Sequence, residues 1–431
     1  MKRFFLTVSL LVVTVTALFS QGFYKDIFMD GGIKLTSRKD LPAARRLGMS
    51  IEHFVTGKGT EESPLTLQDT LIQQMLFCGS DIDQNGILLY PDGQPRFKLI
   101  YVNGGKAGSH GKSLTEKGRA NIEQFVKNGG SYLGTCAGMF LASSGTTNDT
   151  VLPRPSYLNI WPAMTQSTRL TKTPTGHFIE PGSPLLKYYN FKNIMHIDSV
   201  YHNGGGFPYI PENSTNEIDA LPKGTEILLR YDYKPFTKDS LSIHNRISAW
   251  AWKETSKTGR ITLIGSHPEG YRSGDRLDLM SALVQYSIEG LGTQQIKGEL
   301  LKGEERIMDK STNDNNPNFT KIGDKQYHHF YVNIPKNAKN IEVTLNGANT
   351  YDLNLFMKQG SPAFINQATF MDISLGAQKN IKAQNLEPGK WYISVECATT
   401  VEATNSQWGE IYTGNLSVLN GVPYTIQVDW E

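Results

Sequence analysis

The residues best suited to chemistry in this chain of 431 residues are Cys136, His267 and Glu269. Cys136 lies between Gly134 and Gly138, where a short apolar strand gives way to a helix-forming stretch. Because glycine lacks a Cβ, such a turn can be sharp, with the thiol projecting at the start of the helix. Unpaired N–H groups there favour a thiolate and can hold an oxyanion. The pattern predicts a nucleophile elbow; the alternative is that Cys136 is one more small buried residue.

The partners that a cysteine nucleophile needs occur in a second segment far downstream. An apolar strand over residues 260–264 runs into Ser-His267-Pro268-Glu269. The nucleophile needs a base to take its proton, and the base needs a carboxylate that fixes its tautomer. An extended backbone directs side chains two residues apart the same way, and Pro268 stiffens the link. The segment therefore predicts a Cys136-His267-Glu269 triad that attacks an amide carbonyl.

A glycine-rich turn, Asn103-Gly104-Gly105, follows a predicted strand at residues 97–102. Its backbone N–H groups are predicted to complete an oxyanion hole with the N–H of Ala137. The alternative is a simple tight turn, which the same residues suit.

A second glycine-rich turn follows the alternating segment 194–201. Tyr201, Asn203 and Gly204 are predicted, with Asn103, to bind substrate as the opposite wall of the cleft. The alternative here is a hairpin turn, and the pattern does not decide between the two.

The elements that must position these residues alternate between strand and helix from Tyr24 to Gly145. The predicted strands are 27–29, 50–55, 87–90 and 97–102, and the predicted helices are 41–47, 65–77 and 114–127. This alternation predicts an α/β fold with a parallel sheet covered by helices on both faces. Ligands of such sheets bind at the carboxyl ends of the strands, where the candidate residues lie.

Four motifs in order carry a resemblance to known proteins. Gly-Thr-Cys-Ala-Gly followed by a late Ser-His-Pro-Glu resembles the class I glutamine amidotransferase-like superfamily. Within it, the chain resembles the biotin-protein ligase N-terminal domain family over about residues 25–290, through 101–105, 129–138, 201–205 and 267–269. The resemblance implies a flavodoxin-like sheet and a Cys-His-Glu triad. It does not imply biotinylation, because the chain has no Gly-Arg-Gly-Arg segment.

Residues 1–20 have a basic start, an apolar run and a small residue before Gln21. This pattern predicts a signal peptide, and the alternative is an N-terminal membrane anchor. We therefore expect a secreted or periplasmic protein that has no membrane contact after cleavage. Three cysteines do not make a disulfide framework, and Cys78 and Cys397 are expected to be single buried residues.

The rest of the chain is predicted to form a separate unit. Residues 21–290 would be the amidotransferase-like α/β domain, 291–317 a polar linker and 318–431 a small β-sandwich of short alternating strands. The last part resembles the pre-peptidase C-terminal family through 351–358 and 385–395, which implies a domain appended to a secreted hydrolase. Asp352 and Asn354 lack the acidic neighbours of a calcium site, so we expect no metal, and no cofactor.

Composition excludes some partners. The net charge is +2 and no basic patch stands out, which disfavours nucleic acid. Gly104–Gly111 does not have the spacing of a phosphate loop, and His110 within it is expected to be a solvated surface histidine.

The sequence thus predicts a secreted hydrolase that acts on a small-molecule or peptide amide. The alternative is a non-catalytic binding module, attached to an extracellular polymer such as a glycan by its β-sandwich.

Overall fold

The computed structural model describes residues 22–30, 40–54, 79, 83–234, 243–311, 316–405 and 410–431. The predicted signal peptide, the predicted helix over residues 65–77 and Cys78 lie outside these ranges. Among the described helices, none has the length and hydropathy needed to cross a membrane.

Within its described residues, the first part of the chain has twelve strands and five α-helices. The strands are β1 (Lys25–Asp30), β2 (Ile51–Phe54), β3 (Phe97–Val102), β4 (Ser131–Thr135), β5 (Ser143–Thr146), β6 (Trp161–Ser167), β7 (Thr175–Ile179), β8 (His196–Val200), β9 (Gly206–Pro208), β10 (Glu226–Asp232), β11 (Ile247–Trp252) and β12 (Ile261–Ile264). The helices are α1 (Pro42–Arg46), α2 (Ala107–Ser113), α3 (Thr115–Lys127), α4 (Ala137–Ala142) and α5 (Gly274–Glu289).

Nine of these strands form one mixed sheet in the order β2-β1-β3-β4-β12-β11-β10-β7-β8. The strands from β2 to β12 are parallel to one another, whereas those from β11 to β8 pair antiparallel. The expectation of a parallel sheet is therefore correct for only part of it. The physical reason is the short connection between β11 and β12, which permits only antiparallel pairing.

Buried residues of the central strand β3 contribute to two different hydrophobic clusters. Leu99 and Tyr101 belong to a cluster with residues of α1 and α5. Ile100 and Val102 belong to another with residues of α3 and α4. This alternation follows from the two-residue period of a strand.

One predicted strand is absent. Residues 87–90 are apolar and buried, but they form turns with only an isolated bridge between Leu89 and Pro95. Periodicity alone cannot separate a buried strand from a buried turn of this length.

The remaining strands form two larger sheets and a two-stranded ribbon. They are β13 (Ile296–Glu299), β14 (Arg306–Met308), β15 (Tyr327–Ile334), β16 (Ile341–Gly347), β17 (Leu353–Gln359), β18 (Phe370–Asp372), β19 (Gln378–Ala383), β20 (Gly389–Cys397), β21 (Glu402–Asn405), β22 (Glu410–Gly414) and β23 (Tyr424–Asp429). The sheets have the orders β13-β15-β20-β17-β18 and β14-β23-β16-β19, and their buried residues share one hydrophobic cluster. The segment 291–317, predicted as a linker, contributes β13 to one sheet and β14 to the other, because strands of three or four residues give too short a pattern to recognise.

Buried charges join these sheets to the first part of the chain. The Arg96 guanidinium donates to both carboxylate oxygens of Asp324, at 2.9 and 2.8 Å. Lys297 donates to Asp92 at 2.6 Å. Ion pairs removed from water in this way need both partners, so they fix how the two parts pack.

Glu52 on β2 gives a prediction about pH. Burial, together with the nearby charge of Glu410, raises the pKa of Glu52 to about 8, against the opposing effect of Lys25. Between pH 4.5 and 8 the native state keeps a proton that the unfolded chain releases, so stability falls as pH rises through this window. Glu52→Gln removes this loss. We expect thermal unfolding to show that the free energy of unfolding of the variant, relative to that of the wild type, rises by about 1–3 kcal/mol from pH 5 to pH 9.

The matched control is Glu116→Gln, at an exposed carboxylate on α3. Its unfolding temperature is expected to follow the wild type at both pH values. An equal pH response in the Glu52 and Glu116 variants would show that burial of Glu52 has no energetic consequence.

Candidate active site

Cys136 lies at the junction of β4 and α4 with φ 49° and ψ −103°, a positive φ that is uncommon for a residue with a side chain. A Cβ at Gly134 would stand 2.5 Å from the carbonyl carbon of Gly138, and one at Gly138 would stand 2.2 Å from the carbonyl oxygen of Val102. Both glycines are therefore required for close backbone packing, while the strained φ falls on Cys136 itself. Strain held by tight packing in this way is a feature of functional sites.

His267 reaches the same place from the neighbouring strand. β12 pairs in parallel with β4, so the residues that follow both strands meet at one edge of the sheet. The backbone N–H of His267 donates to the carbonyl of Tyr201 at 2.8 Å. Its Nδ1 lies 2.9 Å from Oε1 of Glu269. Hydrogen bonds to the backbone N–H and to one ring nitrogen of His267 therefore fix the position of the imidazole.

The charge state of His267 follows from its surroundings. Burial alone would lower the pKa of His267, but hydrogen bonds to Cys136 and Glu269 and the negative charge of both partners raise it to about 10. At neutral pH the ring is therefore a cation. An imidazolium beside a sulfur stabilises negative charge on that sulfur, and it holds a proton that a leaving group can receive.

The Cys136 sulfur has a second neighbour. It lies 3.5 Å from the carbonyl oxygen of Asn203, and the residue is 4% exposed. A thiol donates to such a carbonyl, whereas a thiolate is repelled by it. Formation of the thiolate–imidazolium pair would therefore release the sulfur from Asn203 toward the cavity.

Eight of the predicted site residues line one cavity of about 440 Å³: Asn103, Gly104, Gly105, Cys136, Tyr201, Asn203, His267 and Glu269. The size suits a small molecule or a short peptide segment. Ala137 is buried at the start of α4, and Gly204 lines an adjacent cavity instead. Sequence reasoning missed the other walls, which include Met29, Leu41, Tyr101 and Tyr271.

Two of the predicted oxyanion donors, Gly104 and Gly105, line this cavity in the loop after β3, and the third, Ala137, begins α4 where β4 ends. The backbone N–H groups of Gly104, Gly105 and Ala137 make no hydrogen bond to any residue in the described ranges. The loops are tied together, because the N–H of Gly138 donates to the carbonyl of Asn103 at 3.1 Å. These N–H groups are available to a substrate oxygen, and their role as an oxyanion hole stays a prediction.

Gly104 lies directly beneath the imidazole. A Cβ at this position would stand 2.3 Å from Cε1 of His267. Gly104→Ala must therefore displace the ring from the Cys136 sulfur, and a more distant imidazolium stabilises a thiolate less. We expect Cys136 alkylation by iodoacetamide at pH 7 to slow by about 10- to 100-fold, with little change in the unfolding temperature.

The matched control is Gly414→Ala, whose Cβ would meet only the side chain of Glu402, with Oε2 as its nearest atom. Its alkylation rate is expected to equal that of the wild type. Equal rates in all three proteins would contradict the placement of the imidazole against Gly104.

Behind the cavity lies a chain of buried hydrogen bonds that the sequence did not predict. Nε2 of His202 pairs with Thr168 at 2.7 Å and Nδ1 with Ser266 at 3.0 Å, and Ser266 contacts Thr175 at 3.2 Å. Burial and the charge of His267 lower the pKa of His202 to about 4, so it is neutral at pH 7. Ser266 directly precedes His267, so the network fixes the backbone from which the imidazole projects. A histidine inside the turn at 201–206 was the signal that could have indicated it.

The turn at 201–206 is not a hairpin. β8 pairs with β7 in the large sheet, whereas β9 pairs with β6 in a separate three-stranded sheet.

The expectation that His110 is a solvated surface histidine is wrong. It is 3% exposed, and its Nε2 lies 2.7 Å from Asp30 at the end of β1. A histidine–carboxylate pair satisfies the buried ring and ties α2 to the sheet edge.

Comparison with known proteins gives one family match. Residues 59–150 match the family model described as "Biotin-protein ligase, N terminal". The match includes the Cys136 elbow and ends before Tyr201 and His267. A search of curated proteins finds no match.

Solved structures give weaker likenesses. A glutamine amidotransferase is 16% identical, with 44% of this chain and 80% of that chain covered and a TM-score of 0.29. PurLQS from Thermotoga maritima is 12% identical, with 61% and 99% covered and a TM-score of 0.33. The pre-peptidase C-terminal domain of collagenase from Bacillus anthracis is 14% identical, with 32% and 100% covered and a TM-score of 0.19. At such TM-scores none of them indicates an activity for this chain.

Proposed function

We propose that this chain is an exported hydrolase of amide bonds that uses Cys136 as its nucleophile. The observation that carries the proposal is the shared cavity of Cys136, His267 and Glu269, with the imidazole hydrogen-bonded to Glu269 at 2.9 Å and its pKa raised by Cys136. A thiolate, a proton donor and an orienting carboxylate are the groups that acyl transfer through a cysteine requires.

In the first half of the reaction the Cys136 sulfur attacks the carbonyl carbon of the amide. The developing oxyanion accepts hydrogen bonds from the N–H groups of Ala137, Gly104 and Gly105. The imidazolium of His267 then gives its proton to the leaving nitrogen as the carbon–nitrogen bond breaks. A thioester on Cys136 and a free amine or ammonia result.

In the second half a water attacks the thioester. The now neutral His267 takes a proton from that water, and the carboxylic acid product leaves as the sulfur departs with its electron pair. Glu269 holds Nδ1 of the ring throughout, so that Nε2 faces the reacting atoms. The site is thereby returned to the thiolate–imidazolium pair.

The proposal also includes a domain organisation. Residues 1–20 are a signal peptide that directs the chain to the periplasm or the exterior. Residues 21–290 form a flavodoxin-like domain with helices on both faces, which the two clusters around β3 support. The two sheets over residues 296–431 form a β-sandwich that attaches the enzyme to an extracellular polymer, and their shared core supports that form.

The test is to trap the thioester. The purified protein is mixed with glutamine, γ-glutamyl peptides and short acylated peptides, and ammonia or amine release is followed. Acid quenching and peptide mass analysis then locate the acyl group. We expect the substrate's acyl mass on the peptide that contains Cys136. If substrates bind but no acyl group and no released amine are detected, the protein is a binding module and the hydrolase proposal fails.

A further inference from the structure

A second cavity, of about 420 Å³, lies next to the Cys136 cavity and has a different character. Its lining includes three cationic side chains, Lys106, Lys112 and Arg154, and no acidic residue among the described residues. Ser109 and Asn148 add neutral hydrogen-bond donors to the same wall. Cationic groups gathered around one concave space attract an anion.

The two cavities share their dividing walls. Gly105 lines the first cavity, and the residue after it, Lys106, lines the second cavity. In the same way Asn203 lines the first and Gly204 the second. A Cβ at Gly105 or Gly204 would meet no atom within 4 Å, so open space lies above the ridge between the cavities. A ligand can therefore extend from the sulfur into the cationic cavity without meeting a side chain at these two positions.

The three cations are not equivalent. Arg154 donates to Asp149 at 2.9 Å and lies 4.7 Å above the ring of Tyr157, so its position is fixed and its charge partly balanced. Lys106 and Lys112 are exposed, and neither forms an ion pair with a described residue. Their charges are available to a bound molecule.

We propose that the cationic cavity binds a carboxylate on the substrate, at the end remote from the bond that Cys136 attacks. This inference rests on the proposed function, and it narrows the substrate to amides that carry an acidic group, such as the acyl parts of acidic peptides. Lys106 and Lys112 bind the carboxylate, Ser109 and Asn148 donate hydrogen bonds to it, and the scissile carbonyl reaches Cys136 across Gly105 and Gly204.

The experiment uses thiol reagents, so it does not depend on turnover. Iodoacetyl derivatives of β-alanine, 4-aminobutyrate and 6-aminohexanoate are compared with their uncharged carboxamides, and alkylation of the Cys136 peptide is timed by mass spectrometry. We expect at least one acid to react about 3- to 10-fold faster than its carboxamide at low salt, with the preference shrinking in high salt.

The variant Lys106→Gln/Lys112→Gln is expected to lose most of this preference. The control Lys117→Gln/Lys127→Gln removes the same charge from exposed positions on α3 and is expected to keep it. Because His267 is present in all of these proteins, its own attraction for an acid cancels in the comparison. A preference retained in the first variant, or lost equally in both, overturns the proposal.

A binding arm separates this inference from the hydrolase proposal. In Cys136→Ala, N-acetyl-6-aminohexanoate is expected to bind more tightly than its carboxamide, and the Lys106/Lys112 substitutions are expected to remove the difference. Tighter binding of the acid without any alkylation or turnover would leave the anion site standing while the hydrolase fails. Turnover without any preference for acids would leave the hydrolase proposal standing while the anion site fails.

Discussion

Replacing Cys136 by alanine is expected to reduce amide hydrolysis by at least about 1,000-fold, because the covalent route disappears with the sulfur. No other described group in the 440 Å³ cavity offers a comparable nucleophile beside an imidazolium. The side chain is small and 4% exposed, so the fold should tolerate the change. The measurement is the initial rate of amine release on whichever substrate gives the acyl-enzyme, with the unfolding curve recorded in parallel.

Cys397→Ala is the matched control. Cys397 is also free and buried, but it lies at the end of β20, away from the cavity. We expect its variant to hydrolyse substrate at the wild-type rate at temperatures where it is folded. If Cys136→Ala keeps its activity while Cys397→Ala loses it, the nucleophile has been assigned to the wrong thiol.

The second large effect concerns stability. Arg96→Ala is expected to lower the free energy of unfolding by about 3–5 kcal/mol, since it leaves the Asp324 carboxylate buried without its partner. Both side chains are no more than 2% exposed, and both guanidinium–carboxylate contacts are shorter than 3 Å. Chemical denaturation of the folded chain measures the loss.

Two further variants separate this ion pair from general packing. Arg96→Met/Asp324→Leu removes both charges of this pair, and it is expected to recover most of the loss because the Asp324 carboxylate is no longer buried without its partner. Arg45→Ala breaks an exposed pair with Asp40 and should change little. A double variant as unstable as Arg96→Ala alone would mean that side-chain volume, and not charge, fixes the contact.

The sequence located the candidate site because its residues lie beside short, recognisable signals. Cys136 and His267 each follow a buried apolar strand, and in a sheet the carboxyl ends of parallel strands meet at one edge. Their spatial neighbourhood could therefore be predicted although more than a hundred residues separate them. Asn103 and Asn203 were found in the same way, through the glycines that follow strand ends.

What the sequence could not give depends on burial and on long-range packing. His202 and Ser266 form one buried network, but as isolated residue types they resemble any surface turn. In the sequence, Arg96 and Asp324 do not differ from ordinary charged residues, because their contact forms only when the two parts of the chain pack together. The antiparallel strands β7 and β10 of the large sheet were also missed, because they lie among turn-forming residues that hide their periodicity.

The most direct test of the account is the pH dependence of Cys136 alkylation by iodoacetamide, in the wild type and in His267→Gln. With the pKa of His267 at about 10, an imidazolium stays beside the sulfur from pH 6 to pH 9. The wild-type rate should therefore change little over that range. In His267→Gln the rate should fall about tenfold per pH unit below about pH 8, as for an ordinary thiol. Superimposable profiles for the two proteins would contradict the pairing of sulfur and imidazole on which the proposed function depends.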